Sequence, residues 1–241
     1  EQFIDAFWAA ILGGIIPVPV AIGISDEHRH KLLRIARKLG TPYLYTDRKT
    51  LERLAAFTDK AHQEPREAAT FAALRARAFT VDQLDDISQP GKRHQASAGD
   101  TAFIQFSSGS TSDPKGVVLT HANLLAEKIA ALKVVTITEH DSILGVLPLF
   151  HALAQVANVL LPLTTGARVV FLETINSTEM MRALAECRIT AFCVVPQFYY
   201  LLHQRVMERV QASPLPVRIT FRTLLGLNGW LRKALGVNLG R

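Results

Sequence analysis

The stretch Phe106-Ser107-Ser108-Gly109-Ser110-Thr111-Ser112-Asp113-Pro114-Lys115-Gly116 decides how the rest of the chain is read. It follows an apolar run, Thr101–Phe106, whose pattern predicts a buried strand. It precedes a short extended run, Val117–Leu119. The loop between them carries four Ser, one Thr, two Gly and one Lys. Hydroxyls and backbone N–H groups lining one concavity grip phosphate oxygens, and a lysine adds a compact positive charge. Lys115 is followed by Gly116 rather than Ser or Thr, and no helix starts there, so this is not a Walker A loop. The chain holds no G-x-G-x-x-G, which excludes the dinucleotide fingerprint. An ordinary polar turn has no reason to gather five hydroxyls and a lysine between two apolar strands.

Outward from the loop, strands and helices alternate. Thr120 is placed to cap a helix running to about Val134, with apolar residues at Leu124, Leu125, Ile129 and Leu132. Strands are expected at Ile143–Leu147, Ala167–Leu172 and Ala191–Val195. Helices are expected at Ala152–Leu163, at Thr178–Cys187 capped by Ser177, and from Pro196 to about Val210. Upstream, Gln2–Leu12 reads as a helix and Ile15–Val20 as a strand. Ser25 opens a helix that Gly40 stops, with Asp26 and Glu27 in its first turn and Arg37 and Lys38 in its last. Tyr43–Thr46 reads as a strand and Arg48–Phe57 as a helix. Between Asp59 and Asp100 the periodicity is weak, Pro65, Pro90 and Gly91 act as breakers, and one strand is expected near Ala78–Val81. Strands apolar on both faces, separated by helices, imply an α/β fold with mostly parallel β-sheets sandwiched by helices.

Composition agrees with a packed domain. Of 241 residues, 49% are hydrophobic and 20% charged, which excludes wholesale disorder. The charge of +6 suits phosphate-bearing ligands but is too small to argue for nucleic acid, and none is expected as a partner. Cys187 and Cys193 are the two cysteines; they cannot build a disulfide framework and suit a reducing, cytoplasmic setting. Ala6–Ile24 carries no charge over about the length of a bilayer span. Gly13-Gly14 and Pro17/Pro19 break it into a short helix and a short strand, so a buried unit is expected instead.

The loop resembles the phosphate loop of the adenylate-forming superfamily: acyl- and aryl-CoA synthetases, fatty acyl-AMP ligases and related adenylation domains. The family pattern is Thr/Ser-Ser-Gly-Ser/Thr-Thr-Gly-x-Pro-Lys-Gly, matched here from Ser107 to Gly116 and continued by Val117-Val118-Leu119-Thr120-His121. Leu147-Pro148-Leu149-Phe150-His151 is similar to the element whose His lies beside the acyl carboxylate. Val194-Val195-Pro196-Gln197-Phe198 is similar to the strand-to-helix turn near the acyl pocket. Phe7-Trp8 through Val20 is similar to the early helix–strand unit, and Phe221–Arg241 to a basic linker of long-chain acyl-CoA synthetases.

The resemblance implies a chemistry. A carboxylic acid, expected to be a medium- or long-chain fatty acid, attacks the α-phosphate of ATP to give acyl-AMP and pyrophosphate. A thiol of CoA, or of a phosphopantetheine acyl carrier protein, then displaces AMP. Ser107, Ser108, Gly109, Ser110, Thr111, Lys115 and Gly116 would hold the phosphates, with Mg²⁺ near Ser107. His151 and Pro196 would lie at the acyl and adenylate site. The family has Gly where Ser112 stands; if that position requires φ > 0, Ser costs on the order of 1 kcal/mol.

The chain opens without Met, inside an apolar pattern, and closes at Arg241 after a basic stretch. The family's aromatic-Gly-x-Thr-Glu segment, its ribose-binding Asp, its hinge and its C-terminal catalytic Lys have no counterpart here. The expectation is therefore a partial N-terminal adenylation domain, residues 1–241, inactive alone and part of an acid–thiol ligase. One alternative is a non-catalytic module that holds nucleotide or acyl chain. A serine hydrolase using Ser108 or Ser110 is a remote one, since G-x-S-x-G is missing. Among lesser features, His28 and His30 are expected to be solvated and His121 structural. Trp8, Phe198, Tyr199 and Tyr200 are expected in the core or the acyl-pocket wall. Arg218, Arg222, Arg232, Lys233 and Arg241 read as a solvated face, with peripheral contact to anionic lipid as the second reading.

Overall fold

A computed structural model describes residues 2–21, 25–60, 65–83, 89–107, 113–172 and 174–235. The first helix, α1 (Gln2–Leu12), buries Phe7 and Ile11, one turn apart. Their partner is the centre of β3 (Thr101–Phe106), where Ala102 and Phe103 are almost fully enclosed. The Phe7 and Phe103 rings meet edge to face at 5.5 Å.

The strand expected at Ile15–Val20 is not formed. Pro17 and Pro19 offer no N–H to a ladder, so residues 15–20 run irregularly, and Ile104 N donates to Pro17 O at 3.1 Å. The uncharged segment at Ala6–Ile24 therefore begins inside α1, which ends at Leu12. Among the described residues no helix is long and apolar enough to cross a membrane.

The next unit is a parallel pair. Helix α2 (Asp26–Leu39) buries Leu32, Leu33, Ile35 and Ala36 and ends at Gly40, whose φ of 77° suits a residue without Cβ. Strand β1 (Leu44–Thr46) pairs in parallel with β2 (Ala78–Thr80), and the crossover between them carries α3 (Arg48–Lys60) and α4 (Pro65–Ala76). Leu33, Leu44, Leu54, Phe71 and Leu74 share one core. Helix α4 corrects the loop-rich expectation for this region. Pro65 opens the helix rather than breaking it, because a first-turn N–H has no intrahelical partner to lose.

Strand β3 then pairs antiparallel with β4 (Gly116–Thr120), from Thr101↔Thr120 at one end to Phe106↔Gly116 at the other. Helix α5 (His121–Val134) starts at a capping box. Thr120 accepts from Asn123 N, and the Asn123 side chain accepts from Thr120 N at 3.0 Å.

The last unit is a three-stranded parallel sheet in the order β6-β5-β7, formed by β5 (Ser142–Gly145), β6 (Arg168–Phe171) and β7 (Ala191–Phe192). Between β5 and β6 lie α6 (Ala152–Gln155), a π-turn (Val156–Leu160) and α7 (Leu161–Thr165), one unbroken helical run. Pro162 has no N–H for the Asn158 carbonyl, and the ladder widens just before it: Leu161 N donates to Val156 O. Helix α8 (Ser177–Glu186) joins β6 to β7. Its cap is Asn176, one residue before the expected Ser177, and accepts from Glu179 N at 2.9 Å. Leu144, Val146, Met180 and Ala183 form the core here, with Phe198 of α9 (Pro196–Gln211) packed against it. Helix α10 (Leu215–Leu235) comes next and touches α9. The architecture is the expected α/β arrangement of parallel sheets and helices.

Candidate functional site

The serine-rich loop connects the two strands of an antiparallel pair. Its ends are fixed by the ladder: Phe106 faces Gly116, and one step further Ser107 N donates to Lys115 O at 3.0 Å. Ser107 and Lys115 are thus brought side by side at the loop mouth, both exposed. Pro114 beside them is buried. Gly116 sits where a Cβ would come within 3.0 Å of the Phe106 ring, so the small residue lets the two strands close. Ser108, Gly109, Ser110, Thr111 and Ser112 lie outside the described residues.

A second element holds the loop from the side. Lys38 Nζ lies 2.8 Å from Asp113 Oδ2. The Lys38 hydrogen bond, aided by the charges of Lys38, Arg34 and Arg37, holds the Asp113 carboxyl below its ordinary value. Composition and motif reading missed this pair, because its members stand 75 positions apart and only the fold joins them.

His151 and Pro196 occupy matching places in the three-stranded sheet. His151 lies beyond the C-terminal end of β5, and Pro196 beyond that of β7, its parallel neighbour. Ligands of open α/β sheets bind outside the carboxyl ends of such strands. Both residues are exposed. The turn bearing His151 is closed by His151 N donating to Pro148 O at 3.0 Å, and the Phe150 and His151 rings lie 4.4 Å apart. Among the described residues no hydrogen bond or ion pair joins this edge to the serine-rich loop.

Several expectations change. His30 is part-buried and paired rather than freely solvated: its Nδ1 lies 2.9 Å from Glu67 Oε2, tying α2 to α4. Tyr199 and Tyr200 are exposed, whereas Trp8 and Phe198 pack against cores. His121 stands at the first position of α5. Cys187 and Cys193 are free and half-buried, and burial pushes the Cys193 thiol up. A cleft of about 230 Å³ lined by His94, Asp100 and His121 lies at the Thr101–Thr120 end of the β3–β4 pair, opposite the loop.

The hydroxyl-rich stretch ending in lysine and the Pro-Leu-Phe-His turn beyond β5 are the features in which the chain resembles the adenylate-forming superfamily. Residues 1–235 match the AMP-binding enzyme family, and the chain belongs to it. An "Acyl-CoA ligase 891, peroxisomal" of Penicillium brevicompactum is 33% identical over 130 residues, which is 53% of this chain and 18% of that protein. "Acyl-CoA ligase sidI" of Aspergillus fumigatus is 27% identical over 227 residues, 83% of this chain and 36% of that protein. Among solved structures, a McyG adenylation–carrier protein complexed with phenylalanyl-adenylate superposes with a TM-score of 0.71 at 24% identity, covering 88% of this chain and 33% of that one. O-succinylbenzoate coenzyme A synthetase of Bacillus subtilis, in complex with AMP, gives 0.67 at 21% identity, covering 89% and 50%. These likenesses establish the fold. The chain spans 18% and 36% of the lengths of the two curated relatives named.

Proposed function

We propose that the chain is the N-terminal, phosphate- and acid-binding part of an acid–thiol ligase. The observation that carries this reading is the Ser107–Lys115 closure, which sets a hydroxyl-bearing and an ammonium-bearing residue side by side at the mouth of a phosphate-type loop. A carboxylate oxygen attacks the α-phosphorus of ATP. The α–β bridging bond breaks, pyrophosphate leaves with the electron pair, and acyl-AMP forms. A thiolate then attacks the acyl carbon, and AMP departs with the former carboxylate oxygen.

Nucleotidyl transfer needs positioning and charge neutralisation more than covalent help. In this reading Lys115 neutralises the departing pyrophosphate, and Ser107 with the hydroxyls beyond it holds the phosphate oxygens. The exposed Ser107 oxygen suits Mg²⁺, a hard cation that takes oxygen ligands beside phosphates. When bound, the ion supplies further neutralisation of phosphate charge. His151 orients the acid or lines its channel, and Pro196 opens the helix beside it. The substrate proposed is a medium- or long-chain fatty acid. The proposed acceptor is CoA or a carrier-protein thiol, and the setting is cytoplasmic.

Isotope transfer tests the route. The full-length protein, given ATP, Mg²⁺, CoA and fatty acid labelled with ¹⁸O in its carboxylate, is expected to place one ¹⁸O in AMP. Label in inorganic phosphate with ADP would show acyl-phosphate chemistry instead. Absence of turnover with retained nucleotide binding would favour the non-catalytic module.

A further inference from the structure

Gln155 stands at the end of α6, four residues beyond His151, and is 4% exposed. Ala154, Val159 and Leu161 of the same helical run are buried with it. An amide in such a place is unfavourable unless it is hydrogen-bonded. Gln155 Nε2 donates to Leu149 O at 2.7 Å. Gln155 N donates to His151 O at 3.1 Å, and His151 N donates to Pro148 O at 3.0 Å. One residue therefore grips the Pro148–His151 turn twice, once by its backbone and once by its side chain.

The side-chain bond gains weight from its place in the helical run. The π-turn begins at Val156, so the ladder directly after Gln155 is the wide part of this run. The Leu149 carbonyl lies inside the turn. Fixing it fixes the chain direction into Phe150 and His151, whose rings lie 4.4 Å apart. Gln155 Oε1 and both amide atoms of Asn158 have no partner among the described residues. Among those residues the Leu149 bond is thus the one hydrogen bond made by these two buried side-chain amides.

We infer that Gln155 is a positioning residue that sets the place of His151 through the Leu149 carbonyl. It acts on the acid side of the site and leaves the serine-rich loop alone. This inference deepens the proposed function and rests on it for the role of His151.

Two variants of the full-length protein test it. Gln155→Met keeps length and bulk but removes the donor. It is expected to lower kcat/KM for the acid about tenfold in ATP–pyrophosphate exchange, the effect of a displaced His151. KM for ATP is expected to stay within about twofold, while melting falls by about a few degrees at most. Gln155→Glu donates only when protonated, so its acid kcat/KM is expected to recover as pH falls and its buried carboxyl takes up a proton. A Gln155→Met protein with wild-type kinetics for the acid would overturn the inference, as would equal losses for acid and ATP. A readout free of activity accompanies this: the backbone and ring NMR signals of His151 are expected to move in Gln155→Met while those of Val118 and Leu119 stay. Unmoved His151 signals overturn the positioning role. A wild-type protein without exchange, but with a His151 shift in the variant, sinks the functional reading and spares the positioning one.

Discussion

Lys38 at the end of α2 and Asp113 in the loop after β3 form an ion pair of 2.8 Å, so the serine-rich loop is fastened to a helix that contributes no strand to its hairpin. Both side chains are largely exposed, at 40% and 67%. Exposed pairs add little to global stability and are screened by salt. Asp113→Asn is therefore expected to leave the melting temperature unchanged. Trypsin cleavage after Lys115 in the native protein is expected to quicken, and high salt to quicken it in wild type alone. Equal cleavage rates would show that the pair does not restrain the loop.

Acid sensitivity is expected to come from Asp141. Its carboxylate accepts from Thr190 Oγ1 at 2.7 Å and from Thr138 N at 2.8 Å, hooking the start of β5 to the approach of β7. The Thr190 bond, then the Thr138 bonds, hold it below the ordinary 3.8. A lowered folded-state pKa stabilises above the unfolded value, and that contribution is lost as pH falls through the folded one. Asp47, held down first by Thr50, behaves alike. Urea midpoints are expected to fall between roughly pH 5 and pH 2, and the fall is expected to be shallower in Asp141→Asn.

Arg188 lies just past the C-terminal end of α8 with φ of 51°, the left-handed region where glycine usually stands. Its side chain is exposed and has little packing to lose. Arg188→Gly is expected to stabilise by about 0.5–1 kcal/mol in urea denaturation. Arg188→Ala, still strained, is expected to change little.

Gly145 ends β5 facing Phe171 of β6. A Cβ there would lie 2.7 Å from Phe171 Cδ1 and Cε1. Gly145→Ala is expected to cost about 1–3 kcal/mol, measured by denaturation. The ring is 39% exposed, so a shorter side chain there relieves the clash at little cost in buried area. Phe171→Leu in the same chain is therefore expected to return part of that loss, which a double-mutant cycle reads directly.

Much of the fold is legible in local sequence, for physical reasons. Thr101–Phe106 is a strand with its predicted bounds, because an apolar run ending at a polar glycine loop has few other fates. Thr120 caps α5 as its side-chain chemistry demands. The serine-rich loop stands out because its residue types repeat a chemical need in a short span. Non-local facts are not legible in this way. The Ile15–Val20 run has strand composition, yet two prolines deny it a ladder. Pro65 can break or begin a helix, and only packing against α2 decides. His30 meets its partner Glu67, 37 positions away, only through the fold. Gln155 carries no motif at all. Its meaning comes from burial and one carbonyl.

In the proposed reaction the Ser107–Lys115 loop takes the pyrophosphate end of ATP while a carboxylic acid is activated. Acid-dependent ATP–pyrophosphate exchange by the full-length protein, wild type against Lys115→Ala, measures this most directly. Exchange is expected with a fatty acid and not without it, and is expected to fall at least about tenfold in the variant. Exchange that persists undiminished in Lys115→Ala, or no exchange with any carboxylic acid, would contradict the proposed reaction.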